Sequence, residues 1–251
     1  MPDFRARSNV EIIDAAFQLY SRNFSLFFAL GLIGAIPVII NLLRPQTLTT
    51  FMTEHTALFA LFVCVAIIIA FLAYAAYITL AGDIYHERPV DLGHVLSKGS
   101  GRLGTLVIAN ILTGIVITIA AILLIIPGIY FAIRFAVVIP VSILENDSGT
   151  DPLYRSFALT KGHTWKIVGM GLMLLVILIM SAIIEKTLGL LPGVIGIVLG
   201  YLAAAALNPL LCIIGTIFYY DLRIRNEGYD IQALATGGMS TPTPAPAPAA
   251  S

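Results

Sequence analysis

The sequence predicts an all-α, polytopic membrane helix bundle, and three observations predict it. First, 59% of the 251 residues are hydrophobic and 11% charged, with a mean hydropathy of +0.95, whereas ordinary soluble domains carry about 25% charged residues. Second, the apolar residues gather into runs that match a bilayer, which needs about 20 in succession for one helix. Third, those runs exclude charge: of the 14 Lys plus Arg and 14 Asp plus Glu, only Arg134 falls inside one. The formal net charge is zero, so no broad basic field exists to hold nucleic acid, and any electrostatic role is local.

In chain order the runs are 24–43, 57–81, 103–126, 129–144, 167–184 and 190–220, expected as six transmembrane helices. The fourth is short and separated from the third only by Pro127 and Gly128, which makes the two a tight helical hairpin. The opening MPDFRARSNVEIIDAAF is charged and amphipathic and lacks an apolar core before a cleavage site, so no removable signal is expected. Residues 1–235 read as a single multi-pass membrane domain. Residues 236–251 read as a disordered tail rich in Pro, Ala and Thr.

Lys and Arg set the orientation. One side collects Arg5, Arg7, Arg22, Arg88, Lys98, Arg102, Arg155, Lys161, Lys166, Arg223 and Arg225; the other has Arg44 and Lys186. The positive-inside rule then places both termini in the cytoplasm, in agreement with an even number of spans. Cys64 and Cys212 lie inside expected spans and read as small apolar fillers.

Three segments leading into spans one, three and five resemble one another: EIIDAAFQLYSRNFSLFFAL from Glu11, DLGHVLSKGSGRLGTLVIAN from Asp91 and DPLYRSFALTKGHTWKIVGM from Asp151. Each opens on an acid, continues with apolar positions at helical spacing and passes into a span. In the first, Ser8 and Glu11 form a capping box and Val10, Ile13, Phe17 and Tyr20 an apolar face. The second is interrupted by Gly93 and Gly99. In the third, Pro152 follows Asp151 at the first turn. The expectation is three units, each an interfacial helix followed by a hairpin. Acids also mark the span exits, at Asp83, Glu145 and Asp221, and DIQALA from Asp230 reads as a truncated fourth start.

The stretches NVEIIDAAFQLYSRNF, PGIYFAIRFAVVIPVSILEND, DPLYRSFALTKGHTWKIVG and YYDLRIRNEGYDIQ, in that order, resemble the membrane domain associated with bacterial glycerophosphodiester phosphodiesterases and its stand-alone relatives, including the YciC-like integral membrane proteins of unknown function. The resemblance covers most of residues 8 to 232. It implies a multi-pass domain of the bacterial cytoplasmic membrane that some relatives carry fused to a soluble phosphodiesterase. The His-Arg-Gly opening and acidic metal ligands of such an enzyme are not found here, so that activity is not expected.

Arg134 is the foremost candidate site residue, because an ionisable group inside a span is costly. It lies seven residues beyond Pro127, about 10 Å from the outer end of its run. Two placements fit: a side chain that snorkels outward, or a buried one that binds a lipid phosphate or carboxylate or pairs with Glu185. Asn110 and Asn208, with Tyr74 and Tyr77, could line a polar pocket or supply interhelical hydrogen bonds. Arg102, Arg155, Lys161, Lys166, Arg223 and Arg225 form a basic rim for the inner leaflet, each worth about 1 kcal/mol toward anionic lipid, and Trp165 reads as an interfacial belt residue. The spacing of Asp83, His86, Glu87, Asp91 and His94 fits no metal motif, so neither a metal nor a cofactor is expected. No phosphate loop, nucleophile elbow or metalloprotease signature occurs. The expected activity is therefore non-catalytic: a scaffold or accessory that organises phospholipids or partner proteins, alone or as a homo-oligomer, or else a small transporter or lipid-handling protein with a cavity near Arg134.

Overall fold

The computed structural model describes residues 5–34, 56–145 and 149–228. Among them the chain forms α-helices and no strand: α1 (Asn9–Arg22), α2 (Phe24–Gly34), α3 (Thr56–Tyr85), α4 (Leu92–Gly101), α5 (Leu103–Leu123), α6 (Ile125–Arg134), α7 (Val138–Leu144), α8 (Asp151–Thr160), α9 (Thr164–Gly189) and α10 (Val194–Glu227). Five stretches, Thr56–Tyr85, Leu92–Leu123, Ile125–Leu144, Thr164–Gly189 and Val194–Glu227, are long and apolar enough to cross a membrane. The expected first span opens with α2. Its positions 35–43 with Pro37, the turn at Arg44, the start at Asp230 and the tail 236–251 lie outside the described residues.

The capping box of α1 forms as its spacing requires: the Glu11 N–H donates to Ser8 Oγ at 3.3 Å and the Ser8 N–H to Glu11 Oε2 at 2.7 Å. The face that α1 packs on the bundle matches the expected one only in part, through Tyr20 and the half-buried Ile13. Ile12, Ala16 and Tyr20 are buried, one i,i+4 ridge, while Val10 and Phe17 are 56% and 60% exposed. The i,i+4 ridge wins because α1 docks edge-on against α10, leaving its second apolar edge turned outward. Asp91 caps α4 by accepting from the Gly93 and His94 N–H groups, and the helix runs without interruption through both Gly93 and Gly99. At Gly99 an added Cβ would lie 3.4 Å from the Ala75 Cβ of α3, so α4 rests closely on that helix.

The α5–α6 hairpin turns at Leu124, ahead of the expected Pro127 and Gly128, which instead occupy the first turn of α6. Proline is tolerated there because its absent N–H would have had no partner in the helix. An added Cβ on Gly128 would sit 2.7 Å from the Ala121 Cβ and 2.8 Å from its Cα, so the two helices meet backbone to backbone. The expected fourth span is not one continuous helix. It breaks at Phe135 to Val137 into α6 and α7. Pro140 gives the physical reason, since its ring conflicts with a helical carbonyl four residues back, at Ala136, and is accepted only in the first turn of a new helix.

In α10 the other interior proline, Pro209, leaves the Ala205 carbonyl without its helical partner. Two elements dock there. Gly31 of α2 lies against Ala205 so closely that a Cβ would be 2.6 Å from that carbonyl oxygen, and Tyr20 of α1 donates its hydroxyl to the Ala206 carbonyl. The helix does not end at Tyr220 but continues through Asp221, Arg223 and Arg225 to Glu227.

Burial is concentrated at one end of the bundle, where α3 and α10 finish and α9 begins. Ala75 to Asp83 of α3 and Cys212 to Ile214 with Thr216 to Ile224 of α10 are buried. At the opposite end the side chains face outward: Ile122 to Ile126 at the α5–α6 turn are 66% to 80% exposed. An apolar exterior over a packed end is the reverse of a soluble fold and matches side chains placed in acyl chains.

Candidate ion-pair clamp and arginine joint

The packed end is held by two groups of buried charge. In the first, Glu145, directly after α7, accepts from Arg155 of α8 in the two-bond fork, Nε to Oε2 at 2.7 Å and Nη2 to Oε1 at 3.1 Å. The Tyr219 hydroxyl of α10 donates to the same Glu145 at 2.6 Å. Glu227 is shared by Arg155 through both terminal nitrogens, Nη2 at 2.9 Å, and by Arg223 one turn back in its own helix, Nε at 3.1 Å. Two arginines and two glutamates thus cancel, joining α7, α8 and α10. Burial works against the charge of Arg155, yet the carboxylates of Glu227 and Glu145 outweigh it and hold its proton more tightly than usual.

The second group centres on Asp221, 2% exposed. Its Oδ2 accepts from Lys166 of α9 and, at 2.9 Å, from Arg225; its Oδ1 accepts the Arg7 N–H at 2.6 Å. Lys166 and Arg225 also donate to the Arg7 carbonyl, at 2.6 Å and 2.8 Å, which pins the N-terminal strand of chain across α9 and α10. The third exit acid, Asp83, faces Arg88 at 3.7 Å. Beside it His86 donates from Nδ1 to the Gly82 carbonyl at 2.8 Å and lies edge-on to the Tyr220 ring at 4.8 Å. Burial lowers the affinity of His86 for its proton; Gly82 and Asp83 act the other way, and Arg88 and Arg223 add to the lowering.

Of the basic rim, four members therefore point at protein carboxylates: Arg155, Lys166, Arg223 and Arg225. Arg102 sits at the joint of α4 and α5 as the cap between them. Lys161, the residue after α8, is exposed and has no carboxylate partner among the described residues. Trp165 and Tyr154 nearby are 86% and 75% exposed.

Arg134 ends α6 at the break. Its carbonyl accepts from Ser156 Oγ at 2.9 Å and Thr160 Oγ1 at 3.2 Å, both from α8, and Ser156 Oγ accepts the Val137 N–H at 3.4 Å. The α8 hydroxyls so satisfy backbone groups that the interruption leaves open. The guanidinium carbon lies 5.1 Å from the ring centres of both Tyr130 and Phe157, a double cation–π contact. Nε and Nη1 are buried with no hydrogen-bond acceptor, and no ion pair to Glu185 forms. Such orphaned donors cost about 1–3 kcal/mol each or more when charged.

The candidate polar residues do not converge. Asn110 donates to the Leu106 carbonyl of its own helix at 3.0 Å and lines, with Tyr74, Phe71 and Ile139, a cleft of about 260 Å³. A second cleft along α5, about 400 Å³, also includes Asn110. A third, about 370 Å³, is lined by Tyr74, Ala136, Pro140, Leu174, Cys212 and Gly215 among others. Tyr77 is buried in the core and Asn208 is exposed; neither lines these clefts, and Arg134 borders the third only through Ala136 two residues on. The walls of all three are almost entirely apolar.

Sequence reasoning placed Asp83, Glu145 and Asp221 at span exits but not their pairing, and it passed over Glu227 and Tyr219. The signal that could have found part of this is the i,i+4 spacing of Asp221 with Arg225 and Arg223 with Glu227. Among the described residues no group of three or more His, Cys, Asp or Glu stands ready to hold a metal ion. No protein-family model, no curated protein and no solved structure matches the chain.

Proposed function

We propose that this chain is a non-catalytic protein of the bacterial inner membrane, a scaffold or accessory that organises lipids or partner proteins, with six spans in three interfacial-helix-plus-hairpin units and both termini in the cytoplasm. The observation that carries this reading is the pairing of a closed, charge-compensated end with clefts whose walls are almost wholly apolar. A path for a polar solute needs polar groups along it, whereas these clefts offer little beyond the Tyr74 and Thr118 hydroxyls, the Asn110 amide and the Cys212 thiol. Apolar clefts in a membrane suit acyl chains or the helices of a partner. The ordered resemblance to the phosphodiesterase-associated membrane domain fits the same role.

A second reading, a lipid-handling protein, is favoured by one specific observation, the orphaned Nε and Nη1 of Arg134, a residue two positions before Ala136 of the third cleft. Native mass spectrometry of the protein released from lipid nanodiscs tests the proposal. Retained phospholipid or a retained membrane protein is expected. Release of bare protein, together with hydrolysis of a glycerophosphodiester in proportion to it, would replace the reading with an enzyme.

A further inference from the structure

We propose that the joint between α6, α7 and α8 is a binding site for the phosphate of an anionic phospholipid, held by Arg134 and Lys161, with an acyl chain in the cleft that Ala136, Ile139 and Pro140 help to line. This deepens the lipid-organising reading and rests on it. The first observation is the state of the Arg134 guanidinium. Tyr130 and Phe157 engage it through their rings, but a π face is no acceptor for the in-plane N–H fork, and Nε and Nη1 have no acceptor on the protein. The second is the absence of a neutralising carboxylate at this joint among the described residues: the acids of the packed end are spent on Arg155, Arg223, Lys166 and Arg225. The third is the position of Lys161. It follows Thr160, whose hydroxyl touches the Arg134 carbonyl, and it is exposed.

Arg134 has a guanidinium without an acceptor, and Lys161 stands one helical turn beyond Phe157, whose ring lies against that guanidinium; this pair of cations calls for an anion with paired oxygens. The two non-bridging oxygens of a phosphodiester match either donor edge of the guanidinium, Nε with Nη2 or Nη1 with Nη2, each of which includes one of the orphaned nitrogens, and a lysine supplies the second charge without demanding direction. The site is also well held. Ser156 and Thr160 fix the Arg134 backbone, so the side chain projects from a rigid base. Tyr130, one of the two rings against the guanidinium, is itself 44% exposed. What distinguishes a lipid from free phosphate is the cleft of about 370 Å³ that Ala136, two residues beyond Arg134, helps to line. A free anion has no use for it, whereas an acyl chain attached to the same phosphate fills it.

The test uses the full chain, delipidated in detergent and reloaded with phosphatidylglycerol, with phosphatidylcholine or with inorganic phosphate alone, and reads occupancy by native mass spectrometry. Wild type is expected to hold phosphatidylglycerol, with occupancy roughly tenfold lower in Arg134→Gln and several-fold lower in Lys161→Ala. Phosphatidylcholine is expected to bind several-fold more weakly than phosphatidylglycerol. Lys161→Ala alters an exposed position and decides the matter if Arg134→Gln does not fold. Phosphatidylglycerol occupancy equal to wild type in folded Arg134→Gln, or in Lys161→Ala where the former is unfolded, overturns the site while leaving a lipid-organising role intact. Wild type that holds no lipid of any kind overturns both. Displacement of bound lipid by millimolar inorganic phosphate would make the ligand a free anion and overturn the lipid assignment.

Discussion

Ser156 Oγ donates to the Arg134 carbonyl at 2.9 Å and accepts the Val137 N–H at 3.4 Å, so one hydroxyl on α8 serves both sides of the α6–α7 break. Thr216, equally buried, only bonds back to Cys212 in its own helix at 2.9 Å. Deleting the first strands the Val137 N–H, which has no helical alternative, and leaves the Arg134 carbonyl to Thr160 alone, whereas deleting the second leaves the Cys212 carbonyl in its ladder. Ser156→Ala is therefore expected to cost about 1–3 kcal/mol and Thr216→Ala well under half of that, read as loss of melting temperature in detergent through Trp165 fluorescence; equal losses would refute the stitching role. His86 supplies a pH dependence. Its folded proton affinity is depressed by burial, so near the ordinary value of 6.5 the unfolded chain binds more protons. The associated stability is complete above that value and is lost as pH falls through the folded value. Acidification from about pH 7.5 to about pH 5.5 should lower the melting temperature of wild type, and His86→Phe should flatten the slope. The ring stays surrounded by Asp83, Arg88, Arg223, Tyr85 and Tyr220 in the variant, so an unchanged slope would assign the effect to a different group.

At the scale of helices, the clamp joins α7, α8 and α10 through charges that come from three distant places in the chain. A buried ion pair adds little over a well-packed apolar pair, but removal of one member leaves a bare charge and costs about 3–5 kcal/mol. Arg155→Ala, which strands both Glu145 and Glu227, is expected to fall in that range, while Lys161→Ala, six residues on and exposed, should change stability by under about 0.5 kcal/mol. Chemical denaturation in mixed micelles compares the two, and similar midpoints would remove the clamp from the account. One i,i+4 pair of each charge group was legible in α10, since helical spacing alone brings Arg223 to Glu227 in the clamp and Asp221 to Arg225 in the second group. The contacts of Glu145 were not, because they depend on where α8 folds back after the chain leaves α7. The capping box of α1 and the proline at the start of α8 were likewise readable from local rules. The break before α7 was readable only as a kink at Pro140: the run IYFAIRFAVVIPVSIL is apolar throughout apart from Arg134 and Ser142, and that the helix stops and restarts shows only when Pro140 is placed in the first turn of a new helix.

For the whole molecule, hydropathy marked which stretches are long and apolar enough to cross a membrane but not which residues meet one another. The face of α1 shows why. Val10, Ile13, Phe17 and Tyr20 form as good an apolar stripe as Ile12, Ala16 and Tyr20, and only the docking partner α10 chooses between them. In a bilayer the rejected edge is not penalised, because Val10 and Phe17 can turn to acyl chains. The same indifference leaves orientation to the charges. Residues with Lys and Arg concentrate at the packed end, where α3 and α10 finish, while the α9–α10 turn carries only Lys186 and the α5–α6 turn none. If the positive-inside rule holds for this chain, Lys161 and the packed end face the cytoplasm, and Thr187 faces the other compartment. Single cysteines at these two positions, in a background with Cys64 and Cys212 replaced, decide it with a membrane-impermeant thiol reagent on intact cells. Thr187→Cys is expected to label in intact cells, and Lys161→Cys only after the membrane is opened. Labelling of Lys161→Cys in intact cells would invert the topology and place the proposed phosphate site in the outer leaflet. Protection of both would mean that α9 and α10 do not carry their turn across, since an exposed turn with Glu185 and Lys186 beside it reaches water wherever it crosses.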